Sequence, residues 1–209
     1  TTKRSGARQT TFPIATIAGV GMLTAVAVVL QFLDFPVPVF IPSFIKFDFS
    51  DLPALIGAFA YGPVAGIIIE FLKNLIHFLT SSHSGYVGPL SNFLLGAVFA
   101  GVAGLFYIKK KSKRNAIFGS LAGAVSMAVM SFPINLYIVY PAYYAMGYAQ
   151  EKVLAMYQAI LPGMSSIEEC LLVFNVPFTL VKGIVYAIIT ILIYKPLSPI
   201  LKGQFKNKR

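Results

Sequence analysis

Carboxylates are scarce in this sequence. Seven Asp and Glu stand against seventeen Lys and Arg in 209 residues, and charged side chains of both signs make up only 11% of the chain. Average soluble domains carry roughly 25%, and 57% of this chain is hydrophobic, so a soluble fold is excluded. Cysteine is nearly absent: Cys170 stands alone, which rules out an internal disulfide, a thiolate zinc cluster and paired-thiol chemistry. Tryptophan is missing altogether. The sequence has no Gly-x-x-x-x-Gly-Lys-Ser/Thr phosphate loop, no His-Glu-x-x-His metal motif and no Gly-x-Ser-x-Gly elbow, so ATP hydrolysis by that loop and the corresponding metal or serine chemistry are not expected of this chain. Ser and His adjoin only in the polar stretch Ser81, Ser82, His83, Ser84.

What the chain has instead is long apolar runs. A hydrocarbon core of about 30 Å takes roughly 20 helical residues to cross. Residues 12–33, 89–107, 116–146 and 169–194 read as spans, the first retained after the polar start that carries Lys3, Arg4 and Arg8. Residues 51–80 are too long for one ordinary crossing and short for two, with Tyr61, Gly62 and Pro63 at the middle as a turn signal. The positive-inside rule arbitrates. A hairpin there puts Lys3, Arg4 and Arg8, the run from Lys109 to Arg114, and Lys195, Lys202, Lys206, Lys208 and Arg209 on one side, leaving Lys46 and Lys152 on the other. Six spans follow, with 52–60 and 63–80 as the second and third. The expected fold is an all-α membrane bundle, a single transmembrane domain over residues 1–209 with both termini cytoplasmic. The net charge of +10 then reflects topology, and nucleic acid is not an expected partner.

Two loops face outside in this scheme. Residues 34–50, DFPVPVFIPSFIKFDFS, hold too much proline for a helix and too much apolar surface for a solvated loop, so they fold back over the bundle. Residues 150–168 are polar with an apolar interruption that suits a short surface helix.

Polar side chains inside spans cost about 2.5–3.5 kcal/mol each when charged and central, so they are the functional candidates. Glu70, Lys73, Asn74 and His77 share a face of the third span at i, i+3, i+4 and i+7; pairing of Glu70 with Lys73 along the helix is the structural alternative to a ligand role. Asn175, Thr179, Lys182 and Tyr186 share a face of the last span, with no acid within a turn of Lys182. Its partner is a ligand, a carboxylate from elsewhere, or backbone carbonyls near Pro177. Asn135 follows Pro133, which bends the helix and frees a carbonyl, so it either repairs the helix or faces a cavity. Asn92 near the start of the fourth span is a further candidate, with a loop role as the alternative. Asp48 and Asp51 precede the second span, where capping is the favoured role for Asp51. Phe40, Phe44, Phe47 and Phe49 crowd the first outer loop; set above inward amides, they suit a flat ring whose polar edge the amides and lysine read. The remaining carboxylates fall at the outer ends, which argues against an ion relay through the centre.

These residues carry a resemblance. The segment KFDFSDLPALIGAFAYGPVAGIIIEFLKNLIHFL (46–79), the basic loop between spans four and five, and NVPFTLVKG (175–183) resemble the substrate-binding S components of energy-coupling factor transporters, most closely the riboflavin-specific branch, over nearly the whole chain. The resemblance implies a pocket near the outer face closed by the first loop, riboflavin as transported ligand with no cofactor, no chemistry on that ligand, and membrane lipid as surroundings. It also implies a complex with a transmembrane coupling protein and two cytoplasmic ABC-type ATPases. Asn135, Asn175, Lys182, Thr179, Phe44, Phe47, Asp48 and Asn92 are the expected ligand contacts. Small residues four apart in the first helix dock the coupling protein in such components; Gly21 with Ala25, and Ala15 with Gly19, match that spacing, with close packing inside the bundle as the alternative. Three other readings stay open: an S component for another vitamin, a stand-alone ion-coupled carrier, and a lipid-directed membrane enzyme.

Overall fold

The computed structural model of the chain describes residues 14–80 and 86–201. Phe12, the basic residues Lys3, Arg4, Arg8, Lys202, Lys206, Lys208 and Arg209, and the stretch Ser81 to Ser84 lie outside the described residues. Helix α1 (Ile14–Phe32) leads into a proline-rich loop, then α2 (Asp51–Tyr61), α3 (Pro63–Thr80), α4 (Val87–Lys109) and α5 (Lys113–Ile134). A π-helical turn, Asn135–Val139, carries α5 into α6 (Tyr140–Ala145), α7 (Gln150–Gln158) follows, and α8 (Ile167–Cys170) passes through a second π turn, Leu171–Asn175, into α9 (Val176–Leu201).

Among the described residues, five helical rods are long and apolar enough to cross a membrane: Ile14–Phe32, Pro63–Thr80, Val87–Lys109, Lys113–Ala145 and Ile167–Ile193. The sixth, α2, has 11 residues and at 1.5 Å per residue rises only about 16 Å. The loop before it folds back over the bundle with Ile41 and Asp48 buried, and in it Phe35–Pro36 pair antiparallel with Lys46–Phe47. That two-stranded ribbon is a small departure from the expected all-α chain. It forms because the prolines leave no continuous row of amides for a helix, while two short extended pieces can still satisfy each other.

The turn between α2 and α3 rests on Gly62, whose φ of 101° puts it in the left-handed region and whose N–H reaches Ala58 O at 3.0 Å. Around that pivot the helices run antiparallel: a Cβ added at Gly66 would meet Ala58 Cβ at 2.7 Å and Ala54 O at 2.9 Å. Residues equally far from Gly62 thus face each other, which brings Lys73 to Asp51. The same device joins the next pair, since Gly119 and Gly123 face Ala103 O and Phe99 O of α4, each 2.7 Å from a built Cβ. Small residues one turn apart permit such close backbone approach where lipid supplies no hydrophobic drive. The core between α2, α4, α5 and α9 is filled by Leu55, Phe59, Phe99, Met127 and Tyr186.

A candidate ligand cavity at one end of the bundle

A cavity of about 510 Å³ opens among residues from nearly every element: Gln31 at the end of α1, Phe44 and Asp48 of the loop, Asp51 at the start of α2, Asn92 of α4, Asn135 and Tyr140 of the α5–α6 rod, Met156 of α7, and Asn175, Thr179 and Lys182 of the last rod. These positions are the ends of α1, α3 and α5–α6 and the starts of α2, α4 and α8–α9. The rods alternate in direction, so the cavity sits at one end, and the basic run from Lys109 to Arg114 sits at the other.

Both π turns lie on the cavity wall. Each inserts one residue into the helical ladder, turning the side chain that follows and freeing a carbonyl. Asn135 does both things expected of it: Nδ2 donates to Ser131 O at 2.7 Å and more weakly to Ser131 Oγ at 3.3 Å, repairing the ladder, while the residue lines the cavity. Thr179 Oγ1 donates to Ser131 Oγ at 3.3 Å, tying α9 to α5. Asn175 is held from outside the span: its Oδ1 accepts from Tyr157 Oη at 2.6 Å, and its Nδ2 lies 3.5 Å from Tyr140 Oη. Tyr140 and Tyr157 share a further hydroxyl hydrogen bond. Burial, and then the neighbouring Tyr140, hold the Tyr157 phenol well above its ordinary range, so it remains a neutral donor to Asn175. Helix α7 is therefore more than a surface helix. It presses Val153 and Tyr157 inward, and neither tyrosine was marked by sequence pattern because each sits in a segment of unremarkable periodicity.

The charged residues assemble in a way that corrects one expectation, the capping role of Asp51, and selects among the alternatives left open for Glu70, Lys73 and Lys182. Glu70 and Lys73 do pair along α3, at 2.9 Å. Lys73 also donates to Ser50 Oγ at 2.8 Å and pairs with Asp51 across the hairpin. Asp51 thus does not cap α2, and the N-cap residue Ser50 makes no side-chain cap bond either; two buried ammonium groups attract the carboxylate more strongly than an exposed amide would. Nor is Lys182 waiting for a ligand alone, because Asp48 Oδ2 lies at 3.2 Å and Asp51 Oδ2 at 3.5 Å. Asp48 is itself pinned: its Oδ1 accepts from Ser50 N at 2.7 Å, and its backbone carbonyl accepts from Tyr186 Oη at 2.6 Å. Three carboxylates and two lysines hence form one buried network that fastens the loop and α2 to α3 and α9.

The aromatic expectation needs a sharper correction. Of the four loop phenylalanines only Phe44 lines the cavity, edge-on to Tyr143 and Tyr157 with ring centroids 6.1 and 6.2 Å away. Phe47 points instead into the core, against Phe49, Phe178 and Tyr186 at 5.4, 6.1 and 6.1 Å, because the β-ribbon alternates its faces. Phe40 is 69% exposed. Phe178 of α9 also lines the cavity, as do Phe32, Tyr140, Tyr143 and Tyr148. Asn92 belongs to helix α4, not to a loop, and lines the cavity. Gln31, which sequence pattern passed over as one polar residue in an apolar span, is 2% exposed; its Nε2 donates to Asn74 Oδ1 at 2.9 Å while its Oε1 has no hydrogen-bond partner among the described residues. A buried acceptor left this way on a cavity wall suits a ligand donor.

The small residues of α1 separate by face. Gly21 has nothing within 4 Å of a built Cβ and Ala25 is exposed, whereas Gly19 packs directly on the Tyr61 side chain of α2. The Ala15 and Gly19 pair is accordingly split, Ala15 exposed and Gly19 used inside the bundle; two positions apart on a helix differ by about 200°, which sends Gly21 outward.

Comparison with known proteins agrees with this architecture. A solved structure of the S component of a bacterial ECF transporter superposes with a TM-score of 0.69 at 35% identity, covering 90% of this chain and 98% of that one. The chain is 36% identical over 183 residues to the riboflavin transporter RibU of Staphylococcus aureus, covering 88% of this chain and 90% of the relative. It is 32% identical over 190 residues to the riboflavin transporter FmnP of Bacillus subtilis, covering 88% and 93%. The family description "ECF transporter, substrate-specific component" matches residues 15–194, and the chain belongs to that family.

Proposed function

We propose that this protein binds riboflavin in the end cavity and serves as the capture subunit of an ATP-driven vitamin uptake transporter. The observation that carries the reading is a cavity walled by Phe44 and Phe178 on its apolar sides and by Gln31, Asn92, Asn135, Asn175, Thr179 and Lys182 on its polar ones. Aromatic walls suit the faces of a tricyclic ring, and fixed amides suit its imide edge and a polyhydroxy tail. The similarity to two riboflavin transporters over 88% of the chain supports this ligand over another vitamin. The ligand is bound and released unchanged, with no cofactor taking part.

In this reading the cavity faces outside, and the Lys109 to Arg114 run and both termini face the cytoplasm, in keeping with the positive-inside rule. Energy comes from two cytoplasmic ABC-type ATPases through a transmembrane coupling protein, docked on the exposed Gly21 and Ala25 face of α1. Isothermal titration of the purified chain checks the ligand: riboflavin binds at one site per chain, and thiamine or biotin at equal concentration does not. Equal binding of an unrelated vitamin, or none of riboflavin by folded protein, overturns the assignment.

A further inference from the structure

We propose that the cleft between the far ends of α4 and α5 seats one anionic phospholipid, its phosphate at Lys110 and Arg114 and its chains along Phe118, Leu121 and Val125. The cleft is lined by these five residues together with Phe106 and a few small or polar neighbours. Its upper part is cationic and its floor apolar, the two chemistries of a phospholipid in the order in which they meet a membrane surface.

Charge complementarity singles out the occupant. Residues 109–114 hold five cations, and all seven carboxylates of the chain are elsewhere: Asp34, Asp48 and Asp51 on the cavity wall, Glu70 in the buried network, and Glu151, Glu168 and Glu169 on α7 and α8. Every salt bridge among the described residues accordingly lies toward the cavity end. Helix α4 is 23 residues long, and even Glu70, which lies against Gly96 in its middle, is about 20 Å of helix short of Lys110, too far for an ion pair. Among the described residues no carboxylate pairs with Lys110 or Arg114, which leaves both cations open to an anion supplied by the membrane. Polybasic segments at a membrane surface meet it in anionic headgroups, at about 1 kcal/mol per Lys or Arg.

Geometry makes this more than a diffuse basic surface. Arg114 is stacked over the Phe118 ring, 5.4 Å from its centroid, which holds the guanidinium at the head of the cleft. Asn115 Nδ2 donates to Phe106 O at 3.3 Å, fixing the two walls relative to each other. Phe118 and Val125 are 52% and 54% exposed and Leu121 40%, leaving an apolar strip for an acyl chain directly below the cations. The inference rests on the chain crossing a membrane and is independent of which vitamin the cavity takes.

Native mass spectrometry of the full chain in detergent tests it, with dioleoyl-phosphatidylglycerol titrated against dioleoyl-phosphatidylcholine. Wild type should retain the anionic lipid with clear preference. The double variant Lys110→Gln/Arg114→Gln should lose that preference by roughly ten-fold or more, whereas Lys111→Gln/Lys113→Gln, equal in charge but outside the cleft, should keep it. Gel filtration and thermal melting of both variants exclude unfolding as the cause. Equal losses in the two pairs would reduce the effect to general surface charge and overturn the proposal. So would equal competition by glycerophosphate, which has the headgroup chemistry without the chains. Retained lipid preference in Lys110→Gln/Arg114→Gln with lost assembly on the coupling protein would assign the cleft to a protein partner instead.

Discussion

At the scale of single residues, the buried charges and the cavity amides behave differently, and substitutions should separate them. Lys73 is the hub of the network, bonded to Ser50, Asp51 and Glu70, so Lys73→Met leaves Glu70 buried without its cation and Asp51 with Lys182 alone, and should destabilise by about 3–5 kcal/mol. Glu70→Gln keeps the shape against Gly96 and leaves Lys73 paired with Asp51, and should cost no more than about 1–2 kcal/mol. Thermal melting in detergent checks the contrast, and equal losses would mean that Lys73 is no more central to the network than Glu70. If the cavity holds the ligand as proposed, the positions expected to be most sensitive for affinity are Asn175 and Gln31. Asn175→Ala should weaken riboflavin by about ten-fold or more, since an unpaired polar group in a dry site costs about 1–3 kcal/mol. Tyr157→Phe removes the donor that orients the Asn175 amide without touching its own ring packing on Phe174; a smaller loss of affinity with unchanged melting is the expected signature in titration calorimetry. The face shared by Asn175, Thr179 and Lys182 was visible from helical spacing alone, because periodicity reports which residues point the same way. Their partners were not, since Asp48 lies 134 positions from Lys182 and no local pattern reaches that far.

At the scale of elements, glycine decides how closely the rods pack. Gly66 faces Ala54 and Ala58 across the α2–α3 hairpin, and Gly66→Val pushes the two helices apart, which also draws Lys73 away from Asp51. Loss of both packing and pairing should lower stability by about 2–4 kcal/mol, measured by melting, whereas the same change at Gly21, with open space around it, should leave the melting temperature unaltered. If Gly21 lies on the docking face, Gly21→Val should instead reduce co-purification with the coupling protein. The hairpin itself was legible from Tyr61, Gly62 and Pro63, because a left-handed glycine and a helix-starting proline are local requirements. The π turns were not legible: Pro133 announces a bend, but where the extra residue falls depends on what the neighbouring rods offer as hydrogen-bond partners.

For the whole molecule, the predictions concern sidedness and energy. A cysteine placed at Ser112 should react only with reagents that enter the cytoplasm, and one at Gly163, exposed between α7 and α8, with impermeant ones; labelling from the same side would remove the proposed orientation. Uptake in cells should persist when the proton gradient is collapsed while ATP is maintained, as ATPase partners require. Composition and the spacing of apolar runs determined by themselves that the chain is a helical membrane bundle, because the cost of an unpaired backbone in hydrocarbon leaves few alternatives. The family was suggested by the resemblance of the 46–79 segment, the basic loop between spans four and five and NVPFTLVKG to its members, a likeness of sequence and not a deduction from geometry. Only tertiary structure decided which loop phenylalanine meets the cavity, that Tyr140 and Tyr157 hold Asn175, that Gln31 keeps an open acceptor, and that Lys182 answers to Asp48 and Asp51. Each depends on contacts between rods far apart in sequence, and in a bundle whose rods are apolar on most sides, hydrophobic periodicity is too weak to say which faces meet.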